Sequence, residues 1–210
     1  MKIRITFASG LFAVLLSLNA ATESKTATRP NIIFILCDDL GAGDLGVLWQ
    51  NTRKGKQKFS TPNMDQFAKE GMILSRHYCP APSCMASRTS LMTGRHSGHS
   101  ARRNFQFDAE IPNGHTLGSV LKKAGYATAA IGKWGMAGGP HQLSIKPVRG
   151  DRSPKTNPSH PTLRGFDYFY GYTAHRDAHY HYPMLGNRPL YDGFVDVTDR
   201  LAKCYSTDLL

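Results

Sequence analysis

Cysteine is scarce in this chain: Cys37, Cys79, Cys84 and Cys204 are all there is in 210 residues. A small disulfide scaffold is thereby excluded, because a chain of this length builds its own core and needs no such framework. Long apolar runs are equally few. The only one of note is the N-terminal GLFAVLLSLNA, which follows the basic start MKIR and precedes the small residues Ala20, Ala21 and Thr22. It is too short to span a bilayer, which takes about 20 apolar residues, and its layout is that of a secretory signal. Residues 1–21 are therefore read as a signal peptide. The mature chain, 22–210, is expected to be exported to the periplasm or the extracellular space, with no membrane span once the signal is removed. Internal repeats and low-complexity tracts are absent. So is a basic stripe interleaved with aromatics, which argues against nucleic acid as a partner.

Acidic residues are in deficit, 15 Asp and Glu against 26 Lys and Arg, a formal charge of +11. With the positive residues scattered among Gly, Pro and His, the balance suits an anionic substrate. If two disulfides formed, three connectivities would be possible. Cys37 lies in an apolar run and reads as a small buried core residue. Cys84 sits in SCMASRTSLMTGR, residues 83–95. A thiol-phosphatase loop would need its arginine six positions after the cysteine; that position is Ser90, and Arg88 comes too early.

Alternating apolar segments imply an α/β fold. Asn31 to Cys37 (NIIFILC) is continuous rather than alternating, the pattern of a fully buried strand in a parallel sheet. It runs into Asp38 and Asp39. Thr61 and Pro62 open a helix, with Met64, Phe67 and Ala68 on one face and Gly71 at its end. Met72 to Tyr78 reads as a second strand. Ser83 caps a helix that starts at Cys84 and stops at Thr93–Gly94. A third helix begins near Thr116, and Tyr126 to Ile131 forms a strand feeding Gly132, Lys133, Trp134 and Gly135. The order predicts βαβ units, helices flanking a mostly parallel sheet. From Met136 to Pro161 the chain is a long Gly/Pro-rich loop. The final segment, Val197 to Leu210, stops where a helix is about to start.

The chemistry-bearing residues leave several readings open. Asp38 and Asp39 are adjacent carboxylates suited to a hard cation such as Ca²⁺ or Mg²⁺, or are simple turn formers. Cys84 and Arg88 lie one helical turn apart and share a face, at a helix N-terminus that favours anions. His175, His179 and His181 could bind zinc or be solvated loop residues.

The motif Cys84-x-Ala86-Ser87-Arg88, followed by Leu91-x-Thr93-Gly94-Arg95, resembles the signature of the type I sulfatases. Residues 29–41 (RPNIIFILCDDLG) resemble that family's opening strand and metal loop, 61–65 (TPNMD) its first helix, and 125–134 (GYATAAIGKW) a later strand and lysine. The resemblance runs over about 29–210 in the family's order. It implies an alkaline-phosphatase-like α/β fold with a central, mostly parallel sheet, of which this chain carries the N-terminal portion. It implies oxidation of Cys84 to formylglycine by a maturation enzyme; one oxygen of the hydrated aldehyde attacks sulfur, and loss of the second hydroxyl proton expels sulfate. It further implies that Asp38, Asp39 and the modified Cys84 hold a divalent ion, usually Ca²⁺, with Mg²⁺ possible. Arg88 would hold the aldehyde hydrate, and Lys133 the sulfate and leaving oxygen. Ala86 in place of the commoner proline resembles the form handled by an anaerobic type of maturing enzyme.

Two departures stand out. The family often carries histidine two residues beyond the lysine, where this chain has Gly135; His99, His179 and His181 are the candidates for substrate-side roles. A further acidic metal pair and a second lysine, found later in family chains, are not in this sequence. The implied activity is hydrolysis of a sulfated small molecule or polysaccharide. The alternatives are a phosphonate or phosphate ester hydrolase of the same superfamily, or an inactive fragment.

Overall fold

A computed structural model describes residues 29–55, 58–138, 157–182, 188–201 and 204–210. The chain divides into two compact units, one ending at Cys37 and one running from Asp38 to Leu210. The signal-peptide reading, most of the Gly/Pro-rich loop and Pro183 lie outside the described residues.

In the first unit, residues 29–37 form no strand. Ile32, Ile33, Phe34, Ile35 and Leu36 are exposed, and so is Cys37. The expected buried strand and the expected core cysteine are therefore both corrected. A continuous apolar strand needs neighbours at both edges and layers on both faces, and among the described residues no strand pairs with this one.

The second unit opens with two 3₁₀ turns, Ala42–Asp44 and Gln50–Thr52, followed by α1, Pro62–Glu70. As the sequence predicts, Thr61 sits at the N-cap, Pro62 at the first helical position and Gly71 at the C-cap. The predicted apolar face is not packed: Met64 and Phe67 are exposed. Met72 to Tyr78 forms no strand either, and Met72, Ile73, Leu74 and Tyr78 are exposed. That expectation fails for the same reason as residues 31–37, the lack of a paired strand among the described residues.

Helix α2, Cys84–Thr93, and helix α3, Leu117–Lys123, match their expected positions. Ser83 occupies the N-cap of α2, but its hydroxyl makes no capping bond. Thr116 makes the full capping box with Ser119 at the start of α3, which satisfies two of the helix's orphan donors.

The sheet contains β1 (Ala129–Lys133), β2 (Tyr168–Tyr172), β3 (Tyr191–Asp192) and β4 (Val195–Asp196), in that order. β1 begins three residues later than predicted and takes in Gly132 and Lys133. It pairs in parallel with β2, from Ala129 opposite Tyr168 to Lys133 opposite Tyr172. The other two pairings are antiparallel, so the α/β sheet is mixed. Gly132 and Gly171 face each other across the parallel pair. A Cβ on Gly171 would lie 2.0 Å from the Gly132 carbonyl oxygen, so this register requires glycine there.

Side chains of β2 alternate with the pleat. Phe169 enters a core with Met85, Ile111, Trp134, Met136, Phe166 and Tyr191. Tyr172 enters a second cluster with Leu190 and Val197, against which Tyr170 packs. The chain's last described elements are a 3₁₀ turn at Thr198–Leu201 and a short helix α4, Ser206–Leu209.

Candidate active site

The site is built at the C-terminal ends of β1 and β2, where open α/β sheets hold ligands. The parallel ladder continues past both strands: the Trp134 N–H donates to the Tyr172 carbonyl at 2.9 Å and the Gly135 N–H to the Thr173 carbonyl at 3.1 Å. This carries the segment after Lys133 alongside the segment after Tyr172, so two loops distant in sequence share one edge.

Helix α2 supplies the third wall. Met85, Ala86, Thr89 and Ser90 are buried, and Met85 belongs to the main core. Cys84 and Arg88 fall on an adjoining, half-buried face. The Arg88 guanidinium donates from Nη1 to the Lys133 carbonyl at 2.6 Å, which locks α2 onto the end of β1. Its Nη2 reaches Asp38 Oδ2 at 3.5 Å, while Lys133 Nζ donates to the same oxygen at 2.7 Å. Lys133 also lies 3.2 Å from His179 Nε2.

Asp38 is thus ringed by positive groups. Burial opposes its ionisation, but the Lys133 hydrogen bond and the charges of Lys133, Arg88 and His179 outweigh that and hold the carboxyl below its ordinary value. Asp39 follows with φ 54°, a left-handed conformation that aspartate tolerates better than most residues.

Cys84 is a free cysteine. Its Sγ lies 3.6 Å from both ring nitrogens of His175. That imidazole is pushed down to about 4, first by burial, then by the charges of Lys133, His179 and Arg88. His179 is lowered as well, by burial and then by Lys133. The 3₁₀ turn Asp177–His179 that carries it is anchored by a buried ion pair, Arg188 to Asp177 at 3.3 Å, with Arg188 lying over the Tyr180 ring.

The structure therefore brings together Cys84, Arg88, Lys133, Asp38 and His179. His99 is elsewhere, exposed and tilted against His96 at 4.5 Å. His181 is exposed and packs on Tyr205. The other three cysteines are also free, so the disulfide readings find no support among the described residues.

A sulfatase family profile matches residues 30–210. The chain belongs to the sulfatase family. Human arylsulfatase D is 40% identical to it over 171 residues, covering 77% of this chain and 26% of that protein. Rat arylsulfatase G is 36% identical over 208 residues, covering 94% of this chain and 35% of its own length. Among solved structures, a protein from work on the metabolism of multiple glycosaminoglycans by Bacteroides thetaiotaomicron superimposes with a TM-score of 0.60 at 28% identity, covering 80% of this chain and 32% of that one. This chain thus spans about a third or less of the length of these relatives.

The sulfatase family implies a modified cysteine and a divalent cation, and the residues of this chain meet those groups unequally. A free, half-buried Cys84 in the first turn of α2, with Arg88 one turn on, fits a residue to be oxidised in place. Asp38 and Asp39 offer the oxygen chemistry a hard divalent cation wants, but such an ion takes six or more oxygens. Among the described residues no group of three His, Cys, Asp or Glu side chains is placed to hold a metal. The two carboxylates fit as part of a metal site and do not complete one; the zinc reading of His175, His179 and His181 finds no support there either.

His175 is the contact sequence reasoning missed as a partner of Cys84. Its only signal was its place in the His/Tyr-rich segment, since 91 residues separate the two. Among the described residues no helix is long and apolar enough to cross a membrane.

Proposed function

We propose that this protein hydrolyses sulfate esters, with Cys84 as the precursor of the nucleophile. The observation carrying the reading is the placement of a free Cys84 on the same face as Arg88, with Arg88 bonded to the end of β1 that bears Lys133, in a chain of the sulfatase family. As formylglycine, residue 84 would supply a hydrated aldehyde, whose one oxygen attacks sulfur and whose other hydroxyl allows release.

The remaining work falls to the protein's own charges. A sulfate ester carries spread negative charge, and its departing oxygen gains more, so catalysis depends on preorganised positive groups. Arg88 and Lys133 supply them, and both are held by bonds that cost nothing at the moment of reaction: Arg88 to the Lys133 carbonyl, Lys133 to Asp38. In this reading Lys133 would meet the leaving oxygen and Arg88 would orient the group on residue 84. Asp38 and Asp39 would give oxygens to a divalent cation, Ca²⁺ or Mg²⁺, which would offset their negative charge beside the anion. His179, hydrogen-bonded to Lys133, belongs on the substrate side.

The substrates this reading favours are sulfated carbohydrates or aryl sulfates. The names of the relatives support the class, and the excess of Lys and Arg suits an acidic polysaccharide. Export through the N-terminal signal, residues 1–21, and maturation by a formylglycine-generating enzyme belong to the same proposal, as does the assignment of 22–210 to the N-terminal portion of the catalytic domain.

Peptide mass spectrometry over Cys84, on protein made in a host with a maturation system, tests it. A loss of about 18 Da marks thiol converted to aldehyde, and turnover of 4-nitrophenyl sulfate should exceed that of the matching phosphonate. An unmodified thiol in every competent host would end the proposal, and preference for the phosphonate would move the enzyme to the neighbouring class.

A further inference from the structure

From Gly71 to Phe107 the sequence holds no acidic residue, yet it carries Arg76, Arg88, Arg95, Arg102 and Arg103. Arg88 belongs to the site already described, and the last three lie on the loop that follows α2. That loop is built on its own hydrogen bonds. The Arg102 guanidinium donates to the Glu110 carbonyl from Nε at 2.9 Å and from Nη2 at 2.8 Å. The buried Ser100 hydroxyl donates to the Arg102 carbonyl at 3.0 Å, and Arg103 Nε to the Ser100 carbonyl at 3.1 Å. Arg95 and Arg103 are exposed, and among the described residues no carboxylate pairs with either. The first acids to follow are engaged elsewhere: Asp108 accepts from the His175 N–H, and Glu110 faces Arg164 at 3.2 Å.

A line of rings joins this loop to the site. Phe105 is 68% exposed, and its ring centroid lies 5.5 Å from that of Phe107. Phe107, half-buried against the main core, lies 4.4 Å from the His175 ring, which is 3.6 Å from Cys84 Sγ. Sugar C–H groups pack on the electron-rich faces of aromatic rings, and the planar fork of arginine suits tetrahedral anions. An exposed ring beside unpaired arginines therefore fits a ligand made of sugars that bear repeated anionic groups. A single-stranded nucleic acid would call for several exposed rings in succession, and this loop exposes one.

We propose that the loop from Arg95 to Phe107 is a binding surface for an anionic polysaccharide, holding the sugars next to the one whose sulfate is cleaved, a role that rests on the sulfatase reading of Cys84. Phe105 is the stacking platform. Arg103 and Arg95 meet sulfate or carboxylate groups further along the polymer, and the exposed, mutually packed His96 and His99 offer hydrogen bonds to sugar hydroxyls. A small aryl sulfate would need none of these, because Arg88 and Lys133 already face its single charge. The surface thus favours a polymer over a small ester, and salt should weaken it, since its cations lie in solvent.

The test uses the full chain from a competent host as wild type, Arg103→Gln, Phe105→Ala and the two combined. Lys54→Gln, an exposed cation outside the loop, is the charge-matched control. Arg95 is kept, because it closes the signature around Cys84. Binding of fluorescein-labelled dextran sulfate, neutral dextran and oligothymidylate is read by anisotropy, and inhibition of 4-nitrophenyl sulfate turnover by dextran sulfate is read beside it. The expected result is binding of dextran sulfate and not of dextran, about tenfold weaker in the combined variant and changed less than about twofold in Lys54→Gln. Inhibition should weaken in step, since the bound polymer leads into the site. Equal losses in Lys54→Gln and the combined variant, undiminished binding in the latter, oligothymidylate bound as tightly as dextran sulfate, or binding without inhibition of an active enzyme would each overturn the proposal. Wild type lacking both formylglycine and turnover defeats the sulfatase reading, and the binding comparison still decides the loop. Wild type that is modified and active, with loop variants that bind as it does, defeats only the role of the loop.

Discussion

Helices α1 and α2 begin with comparable sequence signals and end in opposite circumstances. Both have a hydroxyl residue at the N-cap and a glycine at the C-cap. Helix α2 buries Met85, Ala86, Thr89 and Ser90, with Met85 in the main core, and its adjoining half-buried face carries Cys84 and Arg88. Helix α1 buries no residue, and Phe67 is 73% exposed. It is held by a polar clasp instead. The Asp65 carboxylate accepts from the Val47 N–H at 2.7 Å, from Asn51 at 2.7 Å and from the Thr61 hydroxyl at 3.1 Å. Local signals thus suffice to start and stop a helix, while packing depends on what the rest of the chain brings to its apolar face. The helix that bears Cys84 and Arg88 is the one with a hydrophobic anchor.

The sharpest way to break that contrast is on the chemical side of α2. Cys84→Ala should abolish sulfate-ester turnover while leaving the thermal midpoint close to wild type, because the residue is half-buried and outside the core cluster. Arg88→Ala should lower the rate by about 10²- to 10³-fold, the usual result of removing one preorganised charge donor. Steady-state kinetics on both variants check this.

On the buried side of α2, Met85→Ala should destabilise by about 2–5 kcal/mol, the cost of a cavity in a packed core, read as a lower urea midpoint. Phe67→Ala on α1 should stay within about 0.5 kcal/mol of wild type, as exposed positions generally do. Equal losses at the two sites would mean that the exposed face of α1 is covered in solution.

Between these lies a pH effect. His160 is buried between Phe169 and Phe194, with Nε2 3.1 Å from the Gly193 carbonyl. Burial pushes it down to about 4 against an ordinary 6.5. Between those values the unfolded chain binds more protons than the folded one, so stability falls as the pH drops from 6.5 toward 4. Denaturant midpoints at pH 7, 5.5 and 4.5 should decline in that order, and His160→Gln should flatten the decline.

The smallest expected effect is local. Asp65→Ala removes the clasp and should speed amide exchange in α1 and in residues 46–51 while leaving α2 unchanged.

What could be read from the sequence follows the range of the forces involved. The caps and ends of α2 and α3 rest on contacts within a few residues, and they appear where Thr116 and Gly94 predict. The shared face of Cys84 and Arg88 follows from helical spacing alone. The strands at 31–37 and 72–78 were predicted from apolar content, which records what a segment would bury and not whether a neighbour is there to bury it. Cys37 failed as a core residue on the same account.

By itself, then, the sequence determined the family, the helix that presents Cys84, and the residue types needed to bind an anion. Only the tertiary structure decided that Lys133 meets Asp38 across 95 positions and that His175 meets Cys84 across 91. The second meeting draws on the parallel register of β1 with β2, which turns the segments after Lys133 and Tyr172 to one edge. That register is a long-range packing choice, made where Gly132 and Gly171 allow two backbones to touch, and no local spacing encodes it.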